Sequence, residues 1–352
     1  MSKITQAFSR LLVYSGVAAL SHRQRRRSRE PRVTILSYHR IGQPETSQPL
    51  YDPMLFSATQ AGFTWQMSYV QQNFTVLSFD ELAERHRLGQ PLPSNAAVIT
   101  FDDGYEDNYK LAYPILRQHN LPATIFLTTG LMGTRHIMWW DEVAALLQTT
   151  QTGSVLVQGL GELRLETPRD RLRAREKLRH YFKSLSEDER RGQQDALRQA
   201  LSHSESPTLR APMYLDWDQV REMNQNGISF GAHTQSHPIL TKIPIRQAEY
   251  EIVASKKAIQ TETGGPVRFF AYPNGKRGDF NTRTRELLDR NGFEAAVTLI
   301  QGSNLLVKGK VDWLALRRLY ISSDDRATFI AKTSGALEWF AARLHSLEPN
   351  GY

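Results

Sequence analysis

The chain has 352 residues, 40% apolar and 23% charged, a balance that fits one large folded α/β domain or two smaller ones and excludes a disordered chain. It contains no cysteine, which excludes disulfides, thiolate metal sites and a cysteine nucleophile, and leaves His, Asp and Glu as metal ligands. The net charge of +8 is concentrated in residues 23–32 and again in 169–179. Such runs suit nucleic acid, anionic lipid or an anionic polymer, although the second reads more simply as a solvated helix face.

Residues 1–30 stand apart from the rest. Ile4, Phe8, Leu11, Leu12 and Val13 fall largely at helical spacing, and 11–20 is apolar except for Tyr14 and Ser15. The run is too short for an ordinary transmembrane helix, and Arg25-Arg26-Arg27 behind it oppose its export as a signal peptide. An apolar helix beside arginines suits a peripheral helix on an anionic membrane surface, or a partner-docking helix. That pattern favours a bacterial protein on the cytoplasmic side or at the membrane surface over a cleaved, secreted form.

Residues 32–39 form a β-rich run ending at His39, followed by an irregular loop over 40–53. The spacing predicts a helix over 56–72, a strand at 74–77 and a helix from a Ser78/Glu81 capping box to about Leu88, ended by Gly89. A buried strand from Ala96 to Phe101 delivers Asp102-Asp103-Gly104. A helix over 106–118 that Pro114 kinks or restarts, a strand at 122–127 and a helix from Trp139 follow. Strands alternating with helices predict parallel strands joined by right-handed crossovers.

Residues 150–212 break this rhythm with a hairpin over 154–165, a helix opening at Thr167-Pro168 and another behind a Ser186/Glu189 capping box. No polar triad converges there, so the segment reads as a mainly helical insertion. The alternation then resumes with strands at 228–232, 267–271, 293–299 and 316–321 separated by helices. The expected organisation is an N-terminal helix over 1–30, a main domain over 31–335, and a C-terminal helix and tail over 336–352, the last helix spanning 327–347.

His39, Asp102/Asp103, Thr128/Thr129, His233/His237 and Tyr272 each follow the C-terminal end of a predicted parallel strand. In parallel α/β folds those ends share one face, where sites are built. Two adjacent carboxylates repel in a dry site, and a cation would relieve them; taken alone, Asp-Asp-Gly is equally a turn and helix cap. His233 and His237 lie one helical turn apart, and with Asp103 they complete a two-histidine, one-carboxylate set that leaves coordination positions open.

Thr100-Phe101-Asp102-Asp103-Gly104, His233-Thr234-Gln235-Ser236-His237-Pro238 and Phe270-Ala271-Tyr272-Pro273-Asn274-Gly275 resemble, in order and spacing, the first three motifs of polysaccharide deacetylases, the NodB-homology or carbohydrate esterase 4 family. The similarity covers residues 31–325 apart from the insertion. Leu36-Ser37-Tyr38-His39-Arg40 and Trp139-Trp140-Asp141 resemble the branch found in bacterial exopolysaccharide gene clusters. The resemblance implies an α/β fold, a distorted (β/α)7 barrel, that removes N-acetyl (sometimes O-acetyl) groups from a bacterial polysaccharide or its lipid-linked precursor. It implies that Asp103, His233 and His237 hold a divalent metal, with Zn²⁺ the leading choice, and that Asp102 is the general base. It also implies that the backbone N–H at Tyr272 helps to hold the oxyanion; Tyr272-Pro273 by itself reads as a rigid turn.

Two departures stand out. The family's last Leu-x-His, whose imidazole protonates the leaving amine, is replaced by Leu316-Arg317-Arg318, and Val311-Asp312-Trp313 is only an echo of Asp-x-x-Asp-Trp. His39 is the candidate general acid by its place on the first strand, against a core histidine satisfied by backbone. Arg318 would orient Asp102, bind substrate, or form an ordinary salt bridge. The expected partner is an acetylated amino-sugar polymer, with no nucleic acid. A catalytically silent carbohydrate-binding member of the fold and a metal-dependent phosphoesterase are the alternatives.

Overall fold

The computed structural model describes residues 3–28, 30–43, 52–201, 213–307 and 311–340. Seven strands form its centre: β1 (Arg32–Tyr38), β2 (Ala96–Asp103), β3 (Ala123–Leu127), β4 (Ile228–Ala232), β5 (Phe269–Ala271), β6 (Ala295–Gln301) and β7 (Leu316–Tyr320). Each runs parallel to the next, and β1 pairs in parallel with both β2 and β7. The sheet is therefore a closed seven-stranded parallel barrel with helices outside, the (β/α)7 architecture expected from the alternation of elements. Closure is uneven. β7 meets only Leu36 and Ser37 of β1, while Asn304–Leu305 covers Arg32 and Val33 in the antiparallel sense.

The near-continuous apolar strands follow from burial on both faces. All eight residues of β2 are buried, and side chains alternate inward and outward. Val33, Ile35, Val98, Phe126, Val297 and Leu316 fill the barrel interior. Leu36, Tyr38, Ile99, Phe101, Ile125 and Leu127 face the surrounding helices. Asp102 continues the inward register of Val98 and Thr100, and Arg318 that of Leu316. Gly231 on β4 leaves room for a Phe126 ring carbon 2.5 Å from where a Cβ would lie.

Several elements differ from expectation. Phe56–Ala58 is a strand paired in parallel with Arg40–Ile41, so the next helix begins at Gln60 behind Thr59. Of the two readings of Pro114 the second start holds, opening the helix Tyr113–Gln118, but the turn before it, Asn108–Ala112, is π-helical. The apolar N-terminal run is two helices, Lys3–Tyr14 and Val17–Arg27, broken where Gly16 takes φ 78°. Leu12 and Ala18 bury against Ala331 and Ala336, so much of its apolar face docks within the chain. The C-terminal helix breaks after Arg326–Thr333, where Gly335 takes φ 79°, and resumes over 336–340; the expected helical residues 341–347 lie outside the described residues. The insertion is a hairpin (Ser154–Val157, Gly161–Arg164) and two helices (Pro168–Ser184, Glu187–Ala200); its expected residues 202–212 lie outside the described residues. Among the described residues no helix is long and apolar enough to cross a membrane.

Candidate active site

The C-terminal ends of the strands open into a cavity of about 620 Å³ whose lining includes His39, Asp102, Asp103, His233, His237 and Tyr320. Its chemistry begins where β2 ends. Asp102 keeps the inward register, and Asp103, at φ 74°, is turned so that both neighbours reach one cavity. Four of the five non-glycine residues with positive φ among the described residues are Asp103, Thr234, His237 and Asn274. Backbone held in that region costs of order 1–3 kcal/mol per residue, and here it is concentrated around one cavity.

Asp102 is locked from below. Arg318 donates from Nη1 and Nη2 to its Oδ1 and Oδ2, both at 2.7 Å, and from Nε to the Thr298 carbonyl at 2.8 Å. Burial alone would raise the Asp102 pKa, but the guanidinium outweighs it and holds the carboxyl below its ordinary value. Arg318 is fully buried and does not line the cavity. Its geometry is that of a residue orienting Asp102; the expected alternative of substrate contact does not fit.

Asp103 Oδ1 lies 3.4 Å from His233 Nε2 and 3.5 Å from His237 Nε2, and the three ligand atoms sit within 4.8 Å of one another. That oxygen is buried with no hydrogen-bond partner. A buried, unsatisfied carboxylate oxygen beside two imidazole nitrogens is unfavourable alone and becomes favourable around a divalent cation. His233 Nδ1 donates to the Ala271 carbonyl at 2.7 Å, which leaves Nε2 its lone pair for an ion. Burial works to lower the His233 pKa, yet Asp103 and Asp102 leave it raised. Burial and the neighbouring His233 push His237 down to about 3, so His237 is neutral and ligand-competent at pH 7. The donor set fits a divalent ion.

The histidine loop is held by its surroundings. Glu251 accepts from the N–H groups of Gln235 and Ser236, each at 2.8 Å, and Thr234 Oγ1 accepts from the His237 N–H at 2.9 Å. Thr129 donates its N–H to the Thr234 carbonyl at 3.2 Å. The Trp140 ring meets His237 edge to face at 4.9 Å.

His39 stands on the other side of Asp102, with Nε2 3.9 Å from Asp102 Oδ2 and its ring perpendicular to Tyr320. Its Nδ1 is buried without a hydrogen-bond partner, so it is not a core histidine satisfied by backbone. Burial lowers its pKa more than Asp103 and Asp102 raise it.

Tyr272 is a correction. Its N–H donates to the Val297 carbonyl at 3.1 Å, continuing the β5–β6 ladder. Its hydroxyl donates to the Leu314 carbonyl at 2.9 Å, and its ring stacks on Phe280. The N–H is committed and cannot hold an oxyanion. Asn274, two residues on, lines the cavity at φ 61°, and its N–H donates to no other described group. Its side chain is pinned, accepting from Lys183 Nζ and donating to Asp279 Oδ2.

Sequence reasoning missed the insertion's part in this cavity. Arg179 and Lys183 line it, although the basic run reads as solvated. Their spacing with Arg175, at i, i+4 and i+8, was the available signal, since it aligns all three on one helix face.

The polysaccharide deacetylase family model matches residues 89–156 and 199–296. YxkH of Bacillus subtilis (strain 168) is 23% identical over 231 residues, 65% of this chain and 53% of that protein. The poly-beta-1,6-N-acetyl-D-glucosamine N-deacetylase of Escherichia coli (strain K12) is 33% identical over 88 residues, 25% of this chain and 12% of that protein. This chain thus spans about half the length of the first relative and a small part of the second. The structure of IcaB from Ammonifex degensii superposes with a TM-score of 0.55 at 17% identity, covering 86% of this chain and 97% of that one, which shows a shared fold. With the three motifs assembled at one barrel mouth, the chain belongs to the polysaccharide deacetylase family.

Proposed function

We propose that this chain is a divalent-metal-dependent hydrolase that removes N-acetyl groups from the amino sugars of a bacterial polysaccharide or its lipid-linked precursor. The observation that carries the proposal is the pairing of two carboxylates with opposite surroundings. Asp103 Oδ1 is buried and unsatisfied between two imidazoles, while Asp102 is ionised and fixed by Arg318. The preference for N-acetyl over O-acetyl rests on the name of the Escherichia coli relative.

Asp103, His233 and His237 would hold the ion, and a set of two imidazoles and one carboxylate suits Zn²⁺. The ion, when bound, supplies acidified water and a polarised acetyl carbonyl. Asp102 accepts the proton of the attacking water. The Asn274 N–H donates to the acetyl oxygen as negative charge develops there. His39, neutral and 3.9 Å from Asp102, receives the proton and delivers it to the amine nitrogen as the C–N bond breaks. Acetate and the free amine leave, and Asp102 is again ionised.

Acetate release from acetylated glycans, measured with metal-free and Zn²⁺-loaded protein, tests this reading. Asp102→Asn should lower kcat by about 10²–10⁴-fold while Zn²⁺ stays bound; retained activity would remove the base assignment. Phosphate release from model esters would favour the phosphoesterase reading. Among the described residues, however, there is no second group of three metal-ligating side chains for a two-metal site. A silent carbohydrate-binding member would bind glycan and release no acetate.

Surface attachment through the N-terminal helices forms part of the proposal. Ile4, Leu11, Tyr14 and Leu20 remain exposed there beside Arg23 and Arg27. Sedimentation with anionic vesicles, absent with neutral ones, is the expected result.

A further inference from the structure

The insertion does more than decorate the barrel. Its helix Pro168–Ser184 carries Arg175, Arg179 and Lys183 at i, i+4 and i+8, one stripe along the side turned toward the barrel. Arg175 Nη1 and Arg179 Nη1 lie 3.6 and 3.8 Å from the two oxygens of Asp52. These are loose ion pairs, beyond hydrogen-bond length. Arg175 is 7% exposed, and its Nη2 is buried with no hydrogen-bond partner. Lys183 reaches Asn274, and Lys276 joins the same cavity wall from the loop after β5.

Among the described residues, charge at this wall does not balance. Three cations that line the cavity, Arg179, Lys183 and Lys276, and Arg175 behind Asp52, meet two carboxylates, Asp52 and Asp279. Asp279 is already engaged by the Asn274 amide and the Lys276 N–H. Asp102 offers no relief, because Arg318 already balances its charge. A divalent ion on Asp103 would make the cavity more positive still. A neutral glycan offers these cations hydroxyl and carbonyl acceptors but no counter-charge, and in a partly dry cleft an unanswered positive charge is costly.

We propose that this wall is an anion subsite, and that the acetamido sugar entering the site carries a carboxylate or phosphate on itself or on the adjoining unit. The proposal rests on the deacetylase reading and narrows its substrate class.

Calorimetry and acetate release on the Zn²⁺-loaded full chain test the proposal, using three probes of matched length at low and high salt. The probes are a neutral N-acetylglucosamine oligomer, an oligomer alternating N-acetylglucosamine with glucuronate, and an N-acetylglucosamine oligomer bearing a 1-diphosphate. An acidic probe should bind at least about tenfold more tightly than the neutral one at low salt, and about 0.5 M salt should erase most of that margin. Which acidic probe wins separates a uronate from a phosphate source. Arg179→Gln with Lys276→Gln should remove the margin by raising KM for the acidic probe, with kcat little changed, and Arg179→Lys should retain it.

Equal binding of neutral and acidic probes overturns the subsite, whether or not acetate is released. Preferential acidic binding that the double variant abolishes, with no acetate from any probe, keeps the subsite and removes the deacetylase reading. Acidic preference unchanged in the double variant also overturns the proposal, because the charge would then act elsewhere.

Discussion

Arg318→Met isolates the contribution of the residue that replaces the family's usual histidine on the last strand. Methionine fills part of the same volume but leaves Asp102 buried and unpaired. Breaking one partner from a buried ion pair costs about 3–5 kcal/mol. For a chain of 352 residues, with an unfolding entropy of about 2.1 cal/mol/K per residue, this lowers Tm by about 4–7 °C at pH 8. The pH dependence has a definite sign. In the native protein the Asp102 carboxyl lies below its ordinary value, so the pair's stabilisation is complete above about pH 4 and is lost as pH falls further. In the variant burial is opposed only by the weaker influence of His233 and His39, and the carboxyl moves above its unfolded value. The folded state then keeps a proton that the unfolded chain has released, and stability falls as pH rises above about 4. The Tm deficit should be small near pH 4 and largest near pH 8, and the acid limb of kcat/KM should move to higher pH. Thermal unfolding of metal-free protein from pH 4 to 8, with a pH–rate profile of the loaded enzyme, measures both. Parallel Tm curves and an unmoved acid limb would refute the claim that Arg318 sets the charge of Asp102. Adding Asp102→Asn should recover part of the lost stability.

His237→Ala removes one of three ligand atoms, and should abolish the thermal stabilisation that saturating Zn²⁺ gives the parent protein, about 2.7 kcal/mol at a hundredfold excess over Kd; undiminished stabilisation in the variant would count against the ligand set. Glu251→Gln loses acceptor strength at the N–H groups of Gln235 and Ser236 and should weaken Zn²⁺ affinity about 10–100-fold, read by competition with a chelator, while the fold persists. Asp141 is held at about 7, chiefly by burial, so the native state keeps its proton between about pH 4 and 7 and loses stability as pH rises through that window. Asp141→Asn should flatten that slope, on the order of 2–4 kcal/mol, in denaturant titrations at pH 4.5 and 8.

Much of the fold was legible because barrel strands buried on both faces leave apolar runs of strand length with turn residues at their ends. The capping boxes expected at Ser78 and Ser186 are present. The N-terminal run misled because composition along a line does not show where Gly16 turns it back, or that Leu12 packs against the C-terminal segment. The cluster of Asp103, His233 and His237, with Asp102 beside it, could be read from motif and position together. Tyr272 was misplaced because motif order does not say where the β5 ladder ends, and the first uncommitted N–H lies two residues later. The charged wall was hidden for a different reason: Asp52 lies far from Arg175 in sequence, and only the folded chain sets one against the other.

The staggered closure of the barrel also orders events during folding. Asp103 and the two histidines proposed to hold the ion lie on β2 and after β4, which are joined through β3 alone. The cation that fixes Asp102 resides on β7, which completes the ring by pairing with β1 across almost the whole domain. Contacts of such long sequence separation form late. A nascent chain can therefore bring Asp103 near the two histidines while the ring is still open and Asp102 still hydrated. The pairing of Asp102 with Arg318 matures only when the last strand seats, so under the proposed mechanism the groups that would hold the ion are placed before the group that would move the proton is fixed.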